Sequence, residues 1–269
     1  MVTDAYVHGY ELREAERLGD QAGTLFDLLH GDTAYPPGTR ILEPGCGVGA
    51  QTVPLARRNP GARITSVEVS AASVAEARRR VTAAGLADVE VVQGDLFDLP
   101  YAPRSFDHVF VCFVLEHLAE PERALVALRE LIRPGGTITV IEGDHGSTTF
   151  HPDSAAAHEV IDCQVRLQRD AGGDAMIGRR LYPLVAGAGF AGVQVSPRMV
   201  YVDASRPDLV DGFTRRTFTA MIEGTREAAV AAGLIEPERF DEGIRALHRT
   251  TEPDGVFTYT FFKAVARRT

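Results

Sequence analysis

No stretch of the sequence reaches about 18 consecutive apolar residues, the length a helix needs to span a bilayer, so a membrane-spanning protein is not expected. The opening Met1-Val2-Thr3-Asp4 lacks the basic stretch and following apolar segment of an export signal. Cysteine is scarce as well. Cys46, Cys112 and Cys163 are the only three, an odd and scattered set that argues against a disulfide framework and for a reducing, cytoplasmic setting. Positive charge is in deficit, with 28 Lys and Arg against 37 Asp and Glu and a formal net charge of −9. That balance disfavours a nucleic-acid polyanion as partner and favours a small molecule. Internal repeats and low-complexity tracts are also missing. What remains is an ordinary globular composition: 269 residues, 45% hydrophobic and 24% charged, enough for one large domain or a domain plus a cap.

The richest stretch is Arg40-Ile41-Leu42-Glu43-Pro44-Gly45-Cys46-Gly47-Val48-Gly49. A short apolar run ends in a carboxylate, and three glycines then follow two apart. Glycine has no Cβ to hold a ligand off, so a strand entering such a loop brings backbone close to a nucleotide-type ligand. Gly45, Gly47 and Ala50 also satisfy the loose Gly-x-Gly-x-x-Gly/Ala pattern of dinucleotide enzymes. Glu43 weighs against that reading, because a carboxylate at the loop mouth repels a pyrophosphate and suits a cationic ligand such as the ammonium and sulfonium of S-adenosylmethionine.

Strand-like and helix-like segments alternate from about residue 39 onward, the pattern of a parallel sheet covered by helices. Ahead of it, Leu12, Ala15, Leu18, Ala22, Leu25 and Leu29 recur at helical spacing and predict a helix over Glu11 to His30. Strands are expected at Thr39 to Glu43, Arg63 to Glu68, Asp88 to Gln93, His108 to Cys112 and Thr137 to Glu142. Between them the pattern places helices at Ala50 to Asn59, Ala71 to Ala84 and Pro121 to Ile132. Beyond come helices at Ser154 to Asp170 and Gly178 to Ala188, and a strand at Val193 to Val202. A helical passage then runs from about Pro207 to Leu247, followed by a strand at Val256 to Ala264. The expected divisions are an N-terminal helical lid over 1–38, a cofactor-binding core over 39–145, helices and the sixth strand over 146–206, a helical cap insertion over 207–253 and the last strand over 254–269.

Five motifs in this order resemble the class I S-adenosylmethionine-dependent methyltransferases of the small-molecule, specialised-metabolism type. The resemblance covers Thr39 to Phe190 and implies a Rossmann-like, doubly wound α/β fold: a mostly parallel seven-stranded sheet with its last strand antiparallel. It further implies that Glu43, Gly45, Cys46, Gly47 and Gly49 hold the methionine part of the cofactor. Glu68, with Val69 beside it, stands where the family keeps an acid for the ribose hydroxyls; the family's usual residue is Asp. Gly94-Asp95-Leu96 stands at the adenine. Cys112, Phe113 and His117 lie on the exit from the fourth strand, and Pro134-Gly135-Gly136 forms the turn before the fifth. Gln51, at the start of the helix after the glycine loop, is placed to bond the methionine carboxylate. Tyr6 and Tyr10, in Tyr6-Val7-His8-Gly9-Tyr10, resemble a lid whose rings attract the sulfonium.

Methyl transfer from a sulfonium asks mainly for alignment and desolvation. A base is needed only when the acceptor must lose a proton, and His145 and His117, at the carboxyl edge of the sheet, are the candidates. Phe113, His145, Tyr182, Arg198 and Phe218 are the expected substrate contacts. His145, His151, Asp153 and His158 do not repeat a metal-ligand spacing, so no metal is expected. The acceptor is expected to be a small molecule, carbon of an electron-rich ring such as an indole or else oxygen or nitrogen, with S-adenosylhomocysteine as product. A nicotinamide-dinucleotide oxidoreductase and a cofactor-binding relative without transfer activity are the alternatives. Monomer and homodimer are both compatible with the sequence.

Overall fold

The structure, a computed structural model, describes residues 25–269. Tyr6, Tyr10 and most of the expected N-terminal helix lie outside the described residues; its last turn is helix α1, Phe26–His30. A seven-stranded sheet in the order β3-β2-β1-β4-β5-β7-β6 organises the rest. Its strands are β1 (Arg40–Pro44), β2 (Arg63–Glu68), β3 (Val89–Gln93), β4 (Phe106–Cys112), β5 (Ile132–His151), β6 (Ala191–Val202) and β7 (Val256–Arg267). The pairs β1/β2, β2/β3, β1/β4 and β4/β5 are parallel. β7 runs against β5, since Thr149 bonds Thr258, Ser147 bonds Thr260 and Gly135 bonds Arg268, so rising numbers meet falling ones. This is the Rossmann-like sheet the resemblance implied, antiparallel last strand included.

The chain divides into two units. The first comprises Phe26–Glu142, Ile177–Arg198 and Phe262–Thr269. Strands β1 to β4 belong to it, with helices α2 (Thr52–Arg58), α3 (Ala71–Ala83), α4 (Pro121–Leu131) and α6 (Leu181–Gly187). Local chemistry sets these limits. Ser70 accepts the Ser73 N–H to open α3, Gly85 in a left-handed conformation follows its end, and Pro121 occupies the first turn of α4, where no N–H is needed. Leu42, Val109, Val111, Leu125, Leu128, Val140 and Leu181 pack as one buried cluster between sheet and helices.

The second unit contains Gly143–Met176 and Met199–Phe261. It holds helix α5 (Ala155–Asp170), a continuous helical run α7 over 207–223 whose middle, Val210–Thr219, is wound as a π-helix, and helices α8 (Arg226–Ala231) and α9 (Pro237–Arg249). Gly243 lets α9 lie on α5, because a Cβ there would sit 2.5 Å from the Ala156 carbonyl oxygen. No helix among the described residues is long and apolar enough to cross a membrane.

Strand β5 departs from its expected limits at both ends. Pro134-Gly135-Gly136 does not precede the strand but forms a bulge within it: pairing jumps from Phe106 with Ile132 to His108 with Thr137. Gly136 must be glycine there, as its Cβ would lie 2.3 Å from the Asp107 carbonyl oxygen. At the other end the strand passes Glu142 and runs to His151. The apolar run stops at Glu142, but the backbone keeps a partner in β7, and ladder bonds sustain a strand without an apolar pattern. His145, expected at a polar edge just after the fifth strand, therefore sits within that strand and is buried.

Candidate functional site

Parallel strands deliver their carboxyl ends to one edge, and a ligand crevice opens where the strand order reverses, here between β1 and β4. The loops after β1, β2, β3 and β4, all in the first unit, meet that edge. Gly45, Gly47 and Gly49 take φ values of 69°, 53° and 78°, which side chains disfavour. A Cβ on Gly45 would lie 2.7 Å from Val114, whereas one on Gly47 would meet nothing within 4 Å. Gly45 is thus glycine for packing as well as backbone angle, and Gly47 presents bare backbone.

The direction of the loop's N–H groups determines what it can hold. Gly45 and Cys46 donate to the Val67 carbonyl at 2.7 and 3.0 Å, and Gly49 donates to the Cys46 carbonyl at 2.9 Å. Gly47 donates to Glu68 Oε2 at 3.0 Å. These four donors are committed within the protein, so the three glycines have no N–H left for a pyrophosphate. Its rim carries acid instead.

Glu68 also accepts the Ser70 N–H on Oε1 at 2.9 Å. Each carboxylate oxygen has a further lone pair, so the pair of ribose hydroxyls remains within its capacity. Val69 beside it is 44% exposed, an apolar face at the rim. Asp95 is half-buried and accepts the Phe97 N–H on Oδ1 at 2.9 Å, which fixes the turn after β3 around Gly94 and Leu96. Glu43 lies deeper. It is buried, and the Thr52 and Ser66 hydroxyls donate to its Oε2 at 2.7 and 2.6 Å. Burial raises its carboxyl above the usual range, and its visible work is to tie the start of α2 to β2. Burial likewise pushes up the Cys46 and Cys112 thiols, leaving neutral packing groups rather than nucleophiles.

The exit from β4 is shaped by Glu142, which the sequence reading did not single out. Phe113 has φ of 58°, unusual for an aromatic residue. The next N–H groups, of Val114 and Leu115, converge on Glu142 Oε1 at 3.0 and 2.8 Å. Glu142 is fully buried, and burial followed by repulsion from Glu116 holds its carboxyl well above the ordinary value. Its only sequence signal is an acid ending an apolar run. His117 follows in the same short turn, half-buried, with Nε2 3.5 Å from Glu116 Oε1. Gln51 Oε1 lies 2.8 Å from His30 Nε2, and His30 too escaped the sequence reading.

In the second unit, His145 Nδ1 lies 3.0 Å from the Ala175 carbonyl oxygen and 3.1 Å from the Tyr259 hydroxyl. A carbonyl only accepts, so Nδ1 carries the proton and Nε2 is the basic nitrogen. The Phe218 ring is 6.0 Å from His145, and Phe218 is 2% exposed among Phe213, Phe257 and Tyr259. Phe218 is therefore part of a packed aromatic cluster. Tyr182 stands apart at 59% exposure on α6, and Arg198 is engaged by Asp32 in an ion pair. No group of three or more metal-ligating side chains occurs among the described residues.

Residues 42–140, from β1 through most of β5, match the family described as "Methyltransferase domain". This segment is a methyltransferase domain. Relatives extend the likeness of the domain and its flanks. An uncharacterized 37.1 kDa protein in transposon TN4556 of Streptomyces fradiae is 36% identical over 206 residues, covering 74% of this chain and 54% of that protein. A demethylmenaquinone methyltransferase of Renibacterium salmoninarum is 32% identical over 116 residues, covering 43% of this chain and 45% of the relative. The chain thus spans about half the length of these relatives. A phosphoethanolamine N-methyltransferase of Haemonchus contortus, solved with S-adenosylhomocysteine, superposes with a TM-score of 0.60 over 96% of this chain and 58% of that one. At 16% identity it shares the fold of the methyltransferase domain.

Proposed function

We propose that the protein is an enzyme that transfers a methyl group from S-adenosylmethionine to a small-molecule acceptor and releases S-adenosylhomocysteine. The observation that carries this reading is the glycine loop itself: the N–H groups of Gly45, Cys46, Gly47 and Gly49 are spent on Val67, Glu68 and Cys46, and its rim is acidic. Such a cradle suits a cationic, hydroxyl-rich ligand and suits a dinucleotide's pyrophosphate badly. The cofactor, when bound, supplies an electrophilic methyl on a sulfonium. The chain's residues have the simpler tasks of binding and orienting. Gly47 offers backbone without a Cβ, Glu68 accepts hydroxyls, Val69 offers an apolar face to the adenine side, and Glu142 fixes the Phe113 turn. His145, through Nε2, and His117 are the candidate bases for an acceptor that must lose a proton.

For the acceptor we favour carbon of an electron-rich aromatic ring, with oxygen or nitrogen next. The relative named for demethylmenaquinone supports a ring acceptor. The test is titration calorimetry with S-adenosylmethionine, S-adenosylhomocysteine and both nicotinamide dinucleotides, followed by labelled methyl transfer to aromatic, hydroxyl and amine acceptors. Binding of the two sulfur ligands alone is expected. Binding of a dinucleotide instead would overturn the assignment.

A further inference from the structure

His30 is 1% exposed. Its ring is tilted against Phe26 and Phe110, with centroids 5.6 and 5.5 Å away, so it has little freedom to turn. Its Nε2 is 2.8 Å from Gln51 Oε1, while Nδ1 is buried with no partner among the described residues. The two nitrogens are therefore not equivalent. A proton on Nδ1 would bury an N–H donor without an acceptor, the costlier kind of orphan; a proton on Nε2 leaves only a lone pair against aromatic carbon. The proton thus belongs on Nε2, and Gln51 Oε1 accepts it.

One end of a primary amide fixes the other. With Oε1 held by His30, the Gln51 amide cannot flip without placing N–H against N–H. Its Nε2 end, with two donors, has no partner among the described residues, and Gln51 is half-buried. Gln51 follows the glycine loop directly. Within the proposed function, on which this inference rests, the group that needs such donors is the carboxylate of the cofactor's amino-acid part.

We propose that His30 is a positioning residue for cofactor binding: by donating Nε2–H to Gln51 Oε1, it turns the Gln51 amide so that its NH2 end is offered to the cofactor's carboxylate. His30 touches no ligand itself. The bland counterpart is that the bond only ties α1 to α2, and the two are separable by ligand choice.

S-adenosylhomocysteine and methylthioadenosine share the adenosine and the sulfur, but only the first has the amino-acid carboxylate. Calorimetry of the full chain with each gives a preference ratio. Gln51→Leu is expected to weaken S-adenosylhomocysteine about tenfold, as for a hydrogen bond to a charged group, and to leave methylthioadenosine within about twofold. His30→Phe keeps the buried ring, removes the donor and is expected to shrink the same ratio about three- to tenfold. His30→Gln, which keeps a donor, is the rescue variant and should restore much of the ratio. Combining His30→Phe with Gln51→Leu should add nothing further, since both act through one amide. A folded His30→Phe protein that loses both ligands equally, or neither, overturns the proposal while leaving the function intact. A wild-type protein that binds neither ligand overturns both.

Discussion

Glu142 holds two consecutive backbone N–H groups with one buried oxygen, so an apolar replacement strands two donors. Glu142→Leu is expected to cost about 2–4 kcal/mol of stability, read by urea unfolding. Glu142→Gln retains an acceptor oxygen and should lose less than half as much; equal stability of all three proteins would remove the carboxylate's holding role. At Glu68 the expected effect is on ligand rather than fold: Glu68→Ala weakens S-adenosylmethionine by about 1.5–3 kcal/mol if the carboxylate takes the ribose hydroxyls. Unchanged calorimetric affinity in a folded variant rules that role out. The contrast between the two acids shows what a sequence discloses about a site. Glu68 ends a strand beside the glycine loop and was legible from position. The partners of Glu142 are 27 and 28 residues away, and Gln51 stands 21 residues beyond His30, so only the folded chain brings these groups together.

Among the elements, the parallel strands β1 to β4 were readable because each is a short apolar run closed by turn residues. The end of β5 was not. Its last residues, Gly143 to His151, are strand because β7 lies alongside, a cause that leaves no apolar pattern in the strand itself. The same holds for the cluster of Phe213, Phe218, Phe257, Tyr259 and Phe261, drawn from a π-helix and a strand some forty residues apart. Phe218 reads in sequence as a candidate contact for a substrate; in the fold its ring faces other rings. The packing of α9 on α5 is sharper than any periodicity implies. Gly243→Ala places a methyl 2.5 Å from both a backbone oxygen and a Val160 methyl, and is expected to lower stability by about 1–3 kcal/mol. Thermal unfolding measures this, and an unchanged midpoint would mean the two helices separate freely.

At the scale of the whole molecule, acid should find His30. Burial lowers its pKa from 6.5 to about 4, with Lys263 and Arg58 repelling the charged ring and Asp32 and the Gln51 bond favouring it. The unfolded chain binds that proton from about pH 6.5 downward and the folded chain does not, so stability falls as pH drops from about 6.5 to about 4, by up to about 3 kcal/mol. Urea unfolding across that interval should show a shallower slope for His30→Phe than for the parent chain; parallel slopes would mean His30 takes up its proton while folded. Close by in the first unit is the only lysine in the sequence, Lys263, 2% exposed, with its Nζ bonded to Asp32 Oδ1 and Thr33 Oγ1 at 2.6 Å and to the Leu29 carbonyl at 3.4 Å. An amine-selective acylating reagent consequently has no accessible side-chain target while residues 29–33 stay seated. The time course of Lys263 labelling, followed by mass spectrometry, is a native clock for how often that segment lifts away, with no engineered probe required.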